Sequence, residues 1–371
     1  MLASREEAHL RTAALTVGTC SGEPGRLTYG IFPGADLPTG SADALPVIIA
    51  QGKEPGPVLW LTANIHGNEV AGIPAVHRLL NDELCGALRG AVVALPTLNP
   101  AGLRTNKRRP YNDDRDPNRT FPGARKAADE GSELTVYERL ASRLLGAIGD
   151  TADYYIDLHC ASILSVPFVI RDRVLYRNEA QRSGAAALSD ALDAMAAAFG
   201  FPVVAEYPPS AYVAKELHRS TTGAALQELR LPSLTAELGA HTIVDEQAVA
   251  ATVGGLRNVM RWAGMLSGPA EKIAAIPQPP HGRRLRRQEG PYPAGTGLLD
   301  FCVGPGSFVK AGGVVAGLKD IWGRPIGDGF VKVSTDAWIL GIEDGMLAYP
   351  GAPIAHIAVE DDAPLIDAWP A

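Results

Sequence analysis

The chain has 371 residues, enough for two domains with cores of their own at roughly 100–200 residues per domain. Its 34 Lys and Arg against 41 Asp and Glu give a formal charge of -7 with no long run of one sign, which argues against general affinity for nucleic acid or an anionic membrane and for small-molecule partners. No window reaches the ~18 uninterrupted apolar residues of a membrane span, and residues 1–7 lack the basic start and apolar core of a signal peptide, so a cytoplasmic protein is expected.

In chain order, residues 27–32 and 45–50 read as two strands of an edge ribbon. Residues 58–65 are a mostly apolar run that predicts a buried strand, closed by a turn carrying His66, Gly67, Asn68 and Glu69. Helical spacing of Ile73, Val76, Leu79 and Leu80 predicts a helix over 70–84, and 92–95 is a further strand ending in the loop signal of residues 96–100. From 102 to 123 there is no apolar period, only a loop dense in Arg, Asn, Asp and Pro, and long loops in compact domains are usually functional. A helix follows over 132–148, then a strand over 154–158 ending at His159. Residues 167–170 predict a strand, 179–199 an Ala-rich helix closed by Gly200, 203–206 a short strand, and 233–237 a strand ending at Glu237. Residues 224–229 are ambiguous, and 246–265 is the last long helix. This β-α-β alternation predicts an α/β fold with a mostly parallel sheet, whose ligands bind outside the carboxyl ends of the strands.

A Pro-rich, basic stretch predicts a linker over 271–285, dividing an α/β domain (1–270) from a C-terminal domain (286–371). Beyond it, short β-type runs recur every eight to twelve residues between Gly and Pro, which predicts a small all-β unit.

The chemistry gathers at the strand ends. An imidazole and a carboxylate three residues apart, His66 and Glu69, supply half of a zinc site, and His159 at another strand end supplies a third ligand. Asp157, two residues before His159 on the same strand face, reads as an acid that orients a ligand. Such a site leaves a coordination position for water and needs a proton carrier, for which Glu237 is the choice over Glu206 and Glu228 because only it precedes a strand-end glycine turn. In the loop, Asn118 and Arg119 together can hold a carboxylate, and a second arginine near the metal would stabilise an oxyanion. Cys20, Cys85, Cys160 and Cys302 form no CxxC pair, so neither a disulfide framework nor a cysteine metal site is expected.

The succession of His66-Gly67-Asn68-Glu69, Asn99-Pro100, the segment from Asp116 to Gly123, Asp157-Leu158-His159 and the segment from Leu234 to Gly239 resembles the succinylglutamate desuccinylase/aspartoacylase family, over about residues 45–265. The resemblance implies a zinc-carboxypeptidase-like mixed sheet flanked by helices, one zinc ion held by His66, Glu69 and His159, Glu237 as general acid/base, and Asn118 with Arg119 on the substrate carboxylate. It also implies an oxyanion-stabilising arginine, assigned to Arg109, with Arg108 as the alternative and a further substrate-binding candidate. Pro117 departs from the leucine more usual in the family, while the Asn-Arg pair is kept. The tail resembles the family's C-terminal domain, and its run from Gly304 to Gly312 is similar to the turns of biotinyl/lipoyl barrel-like folds, with Lys310 and Lys332 read as ordinary strand-flanking lysines. The expectation is a zinc-dependent amidohydrolase acting on an N-acyl amino acid or similar small carboxylate-bearing amide. The rivals are a metallocarboxypeptidase and a metal-free binding protein of the same fold. The acyl group is not legible in the sequence, and self-association into a homo-oligomer is left open.

Overall fold

The computed structural model describes residues 15–123, 133–273, 276–280, 282–343 and 345–370. Residues 1–7, read above for a targeting signal, lie outside this set, as do Ser132 at the expected helix start and residues 274, 275 and 281 of the expected linker. No helix among the described residues is long and apolar enough to cross a membrane.

The antiparallel ribbon β1 (Arg26–Asp36) and β2 (Ala42–Gln51) forms one edge. Next comes β3 (Glu54–Ala63), whose residues from Val58 onward are buried, so it reads as a continuous apolar run rather than an alternation. It is followed by α1 (Gly72–Leu79), β4 (Arg89–Leu95), α2 (Val136–Thr151), β5 (Tyr154–Ala161), β6 (Pro167–Arg171), α3 (Arg182–Phe199), β7 (Val203–Ala205), α4 (Thr221–Leu229), β8 (Ser233–Ala240) and α5 (Glu246–Trp262). The C-terminal region adds β9 (Leu285–Glu289), β10 (Gly297–Phe301), β11 (Phe308–Val309), β12 (Val314–Lys319), β13 (Pro325–Lys332), β14 (Ala337–Ile342), β15 (Leu347–Ala348), β16 (Ala355–Glu360) and β17 (Ile366–Ala368).

The main sheet runs β11-β14-β16-β9-β7-β6-β8-β5-β3-β4-β2-β1. Its centre, β4, β3, β5 and β8, is parallel. Apolar side chains of α1, α3 and α5 cover one face and those of α2 and α4 the other, which gives the central strands their two-sided burial. Beyond the centre β8 meets β6 antiparallel, and β6, β7 and β9 are parallel to one another. The C-terminal strands are antiparallel: β16, β14 and β11 continue the main sheet outward from β9, while β13, β12, β10 and β15 form a four-stranded sheet of their own. Lys310 and Lys332 are exposed there, paired with Asp336 and Asp328.

Three local departures from the sequence reading have physical causes. The helix expected over 70–84 stops at Leu79 because the Asn81 side chain accepts from the Leu84 amide at 2.8 Å and starts a new helix, Asp82–Ala87. The ambiguous 224–229 segment is the end of α4, capped where the Ser220 hydroxyl accepts from Gly223 at 3.0 Å. The 102–123 loop contains the end of a one-turn helix, Pro100–Thr105, and a tight turn, Pro117–Arg119.

Helix α1 follows the His66 turn and must lie close against the sheet. A Cβ at Gly72 would sit 2.7 Å from the Ala63 Cβ and 3.0 Å from the Leu158 Cβ, both on the strands that carry the site. Gly72→Ala should therefore destabilise the protein by about 1–3 kcal/mol through overpacking, more than the ~1 kcal/mol that helix propensity returns. Urea unfolding measures the difference.

Candidate active site

The turn after β3 is built by Asn64. This residue takes a left-handed backbone conformation (φ 56°), and its side-chain amide donates to the carbonyls of His66, Gly67 and Glu69 at 3.1, 3.1 and 3.0 Å. Asn99 secures the turn from outside, donating to the Ile65 carbonyl at 3.0 Å and to that of Arg108 at 3.3 Å. Gly67 is required because a Cβ there would lie 2.1 Å from the Gly102 carbonyl carbon. The turn is thereby clamped to the start of the long loop.

Within this frame His66, Glu69 and His159 converge, all buried, with ligand-type atoms within 4.8 Å of one another, the only such group among the described residues. The Glu69 carboxylate lies between the two rings, 2.6 Å from His66 Nδ1 and 2.8 Å from His159 Nδ1. The outer nitrogens are also held by acids: His66 Nε2 is 3.0 Å from Asp116, and His159 Nε2 is 2.8 Å from Asp157. Asp157 is itself fixed by the hydroxyls of Thr62 and Thr221. Burial works to raise the Glu69 carboxyl, yet without a metal the two imidazoles, charged beside it, hold it well below the usual carboxylate range, and against burial Asp157 with Glu69 raises His159 in turn, so that protons fill the place of a cation. With the outer nitrogens donating to their acids, a neutral form of both rings would turn both Nδ1 lone pairs toward the carboxylate, an arrangement that calls for a cation other than a proton between them. Two neutral imidazole nitrogens and one carboxylate are a donor set suited to zinc.

Glu237 sits beside His159 in the β5–β8 register. Its Oε2 is buried with no hydrogen-bond partner among the described residues, and burial pushes the carboxyl up. Arg108 lines the same cavity, donating to Glu69 at 3.1 Å and to Asp116 at 3.0 Å. Arg109, assigned to the oxyanion from the sequence, is not among the cavity residues, whereas Arg108, the alternative, is. Asn118 accepts from the Thr221 amide at 2.8 Å through its carbonyl oxygen, which leaves the NH2 group for the cavity. Among the described residues Arg119 donates only to the backbone carbonyls of Lys215 (3.1 Å) and Asn118 (2.6 Å). Burial lowers its guanidinium, and no carboxylate among the described residues forms an ion pair with it. Cys160 is buried, its thiol pushed well up by burial, and its amide donates to Glu69 at 3.1 Å.

The cavity is about 420 Å³, the size of a small-molecule site. One wall comes from the C-terminal region, including Arg287, Leu340, Glu343 and His356. Arg287 donates to Glu206 at 2.7 Å. Glu228, the other acid weighed for the proton carrier, is outside the cavity and pairs with Arg177 at 2.8 Å.

Residues 55–263 match the family model described as the succinylglutamate desuccinylase/aspartoacylase catalytic domain. The chain belongs to that family. It is 26% identical over 284 residues to the N-alpha-acetyl-L-2,4-diaminobutyric acid deacetylase of Halomonas elongata, covering 75% of this chain and 74% of that protein. Among solved structures, its fold matches a succinylglutamate desuccinylase/aspartoacylase from Rhodobacter sphaeroides with a TM-score of 0.70 and 22% identity, over 91% of this chain and 96% of that one. It also matches the product-bound ectoine utilization protein EutE (DoeB) from Ruegeria pomeroyi with a TM-score of 0.69 and 22% identity, over 94% and 98% of the two chains. The relatives of this family are hydrolases of amide bonds, which agrees with an amidohydrolase.

Two residues of the cavity were not singled out from the sequence. Arg287 stands just past the basic stretch that reads as linker, and Asp172 sits between Arg171 and Arg173 at the end of β6. Three charged residues directly after a buried strand were the available signal, since charges seldom follow such a run unless they are paired or face a cavity. Arg171 and Arg173 are buried and paired with Asp193 and Asp361, and Asp172 faces the cavity.

Burial, followed by the Glu206 charge, pushes the Asp172 carboxyl up to about 7. The folded state therefore binds this proton more tightly than the unfolded chain does. The resulting stability is fully present below the ordinary aspartate range near pH 4 and is lost as pH rises through about 7. Asp172→Asn should flatten the fall in unfolding free energy between about pH 4 and 7, measured by urea titration at several pH values.

Proposed function

We propose that the protein is a zinc-dependent deacylase that hydrolyses the amide bond of a small N-acyl amino acid. The observation that carries this reading is the placement of one buried carboxylate, Glu69, against the inner nitrogens of two imidazoles whose outer nitrogens are already engaged by acids. His66, Glu69 and His159 hold the metal. Zinc in that position supplies Lewis acidity, making a water molecule more acidic and polarising the amide carbonyl.

The side chains around it divide the remaining work. Glu237, buried with a free oxygen, accepts the proton of the attacking water and returns it to the leaving amine. Arg108, kept cationic by Glu69 and Asp116, faces the carbonyl oxygen as negative charge develops there. Asp157 fixes the proton on His159 Nε2 so that Nδ1 remains a ligand. Asn118 and Arg119 bind the substrate carboxylate, which supplies the acid that Arg119 lacks among the described residues. The C-terminal wall favours a small substrate over a peptide terminus, and the Halomonas relative is named for a small N-acyl amino acid.

Elemental analysis of purified protein should give one zinc per chain, and His66→Ala should lose most of it. Full metal content in that variant would remove His66 from the ligand set. Glu237→Gln should keep both metal and fold while lowering turnover of N-acetyl amino acids by about 100-fold or more. Unchanged turnover would transfer the proton-carrying role to another group, with Glu206 the next acid in the cavity.

A further inference from the structure

The Asn118 and Arg119 side chains are set by a second segment of the chain. Asn118 accepts from the Thr221 amide at 2.8 Å, and Arg119 donates to the Lys215 carbonyl at 3.1 Å. Just past them the Phe121 amide donates to the Arg219 carbonyl, and Arg219 Nε donates to the Phe121 carbonyl, both at 3.1 Å. The direction of the pair is therefore taken from residues 215–221, of which Leu217 and Ser220 also line the cavity. This segment follows the short helix Pro209–Ala214. It consists of Glu216 in a left-handed conformation (φ 54°), the single turn Leu217–Arg219 and the Ser220 cap of α4. A non-glycine residue in the left-handed region persists only where its surroundings over-determine it.

Two ion pairs supply part of that support. Arg219 meets the buried Glu138 of α2 at 2.9 Å, and Lys215 meets Glu289 of β9 at 2.8 Å, the second open to solvent and correspondingly weak. The rest is apolar. Tyr212 and Leu217 pack with Leu175 and Tyr207, and Trp369 packs against this cluster from the C-terminal region. The buried His218 ring meets the Trp369 ring in an edge-to-face contact, with centroids 5.2 Å apart and planes at 83°. Trp369 is itself fixed on other sides. Its amide donates to the Tyr176 carbonyl at 2.8 Å, extending the parallel pairing of β17 with the strand Val174–Tyr176, and the Arg177 guanidinium lies 5.1 Å from its ring centroid.

We propose that Trp369 is a positioning residue for substrate binding: through His218 it holds the turn Leu217–Arg219, and through that turn it aims Asn118 and Arg119 at the substrate carboxylate. The inference rests on the carboxylate role given to that pair above. Neither Trp369 nor His218 lines the cavity, so the effect is transmitted through the segment and involves no contact with the substrate. Trp369 is half-buried and follows a strand of only three residues, so its ring can be removed without opening the main core.

The test compares Trp369→Ala and Trp369→Phe with the native zinc-loaded protein. Its substrates are the N-acetyl amino acid turned over fastest in a panel and the carboxamide of that compound. Trp369→Ala should raise KM for the acid by about tenfold, with kcat within about twofold and the carboxamide little affected. Trp369→Phe, which returns an aromatic edge to His218, should recover most of the loss. In an Arg119→Ala background the same Trp369→Ala change should cost little more. Hydrogen exchange, which needs no substrate, should quicken about tenfold or more in residues 118–121 and 215–221 while β3 and β5 stay protected. Equal KM losses on acid and carboxamide overturn the proposal, as does unchanged KM for the acid, or exchange that quickens throughout the chain. If Trp369→Ala does not fold, Trp369→Leu is judged by the same readouts. If the native protein turns over no N-acetyl amino acid, the deacylase reading falls, and calorimetric binding of the panel acids and their carboxamides replaces KM. Weaker binding of the acids alone in Trp369→Ala then supports the positioning role, and unchanged binding removes it.

Discussion

The centre of this molecule is organised by one electrostatic constraint: a carboxylate and two imidazole nitrogens are forced into van der Waals proximity in a place water barely reaches. Burying like-natured lone pairs together is unfavourable unless a cation is shared among them. Much of the nearby structure holds the three donors in that position. Asn64 contributes three hydrogen bonds and a left-handed backbone to one turn. The fully buried Asp157, locked by two threonine hydroxyls, fixes the imidazole two residues along its own strand. The parallel β3–β5 pairing brings the turn and that strand side by side.

The central strands were legible because burial on both faces writes them as apolar runs, and the metal-type residues because they stand where such runs end. The pairing of His66 with Glu69 and the position of His159 needed no more than that. The choice between Arg108 and Arg109 was not legible, since a loop without periodicity does not reveal which of two adjacent side chains turns inward. The contacts of Arg108 with Glu69 and Asp116, which hold it at the cavity, appear only in the folded chain. Asp172 and Arg287 were hidden for a related reason. Each is placed by partners remote in sequence, Asp172 through the antiparallel β8–β6 pairing and Arg287 through β9 docking on β7. The short helix α4 was ambiguous because its apolar positions are few and its start is set by the Ser220 cap.

The C-terminal region is bound into the rest of the chain at several points. Strand β9 adds to β7, β17 adds in parallel to the short strand Val174–Tyr176, and Arg173 forms a fully buried ion pair with Asp361. The polar wall of the cavity and the continuity of the sheet therefore have a common origin.

That shared origin bears on how the chain could be divided. Strand β7 has only three residues and takes β6 on one side and β9 on the other. A fragment ending before residue 285 would leave its outer side as a row of unpaired amides and carbonyls beside buried Val204, and would strand Arg173 in the interior without Asp361. A bare edge of that kind is a template for pairing with another chain. The chain from residue 285 onward thus acts as the cover that keeps this sheet from recruiting its neighbours.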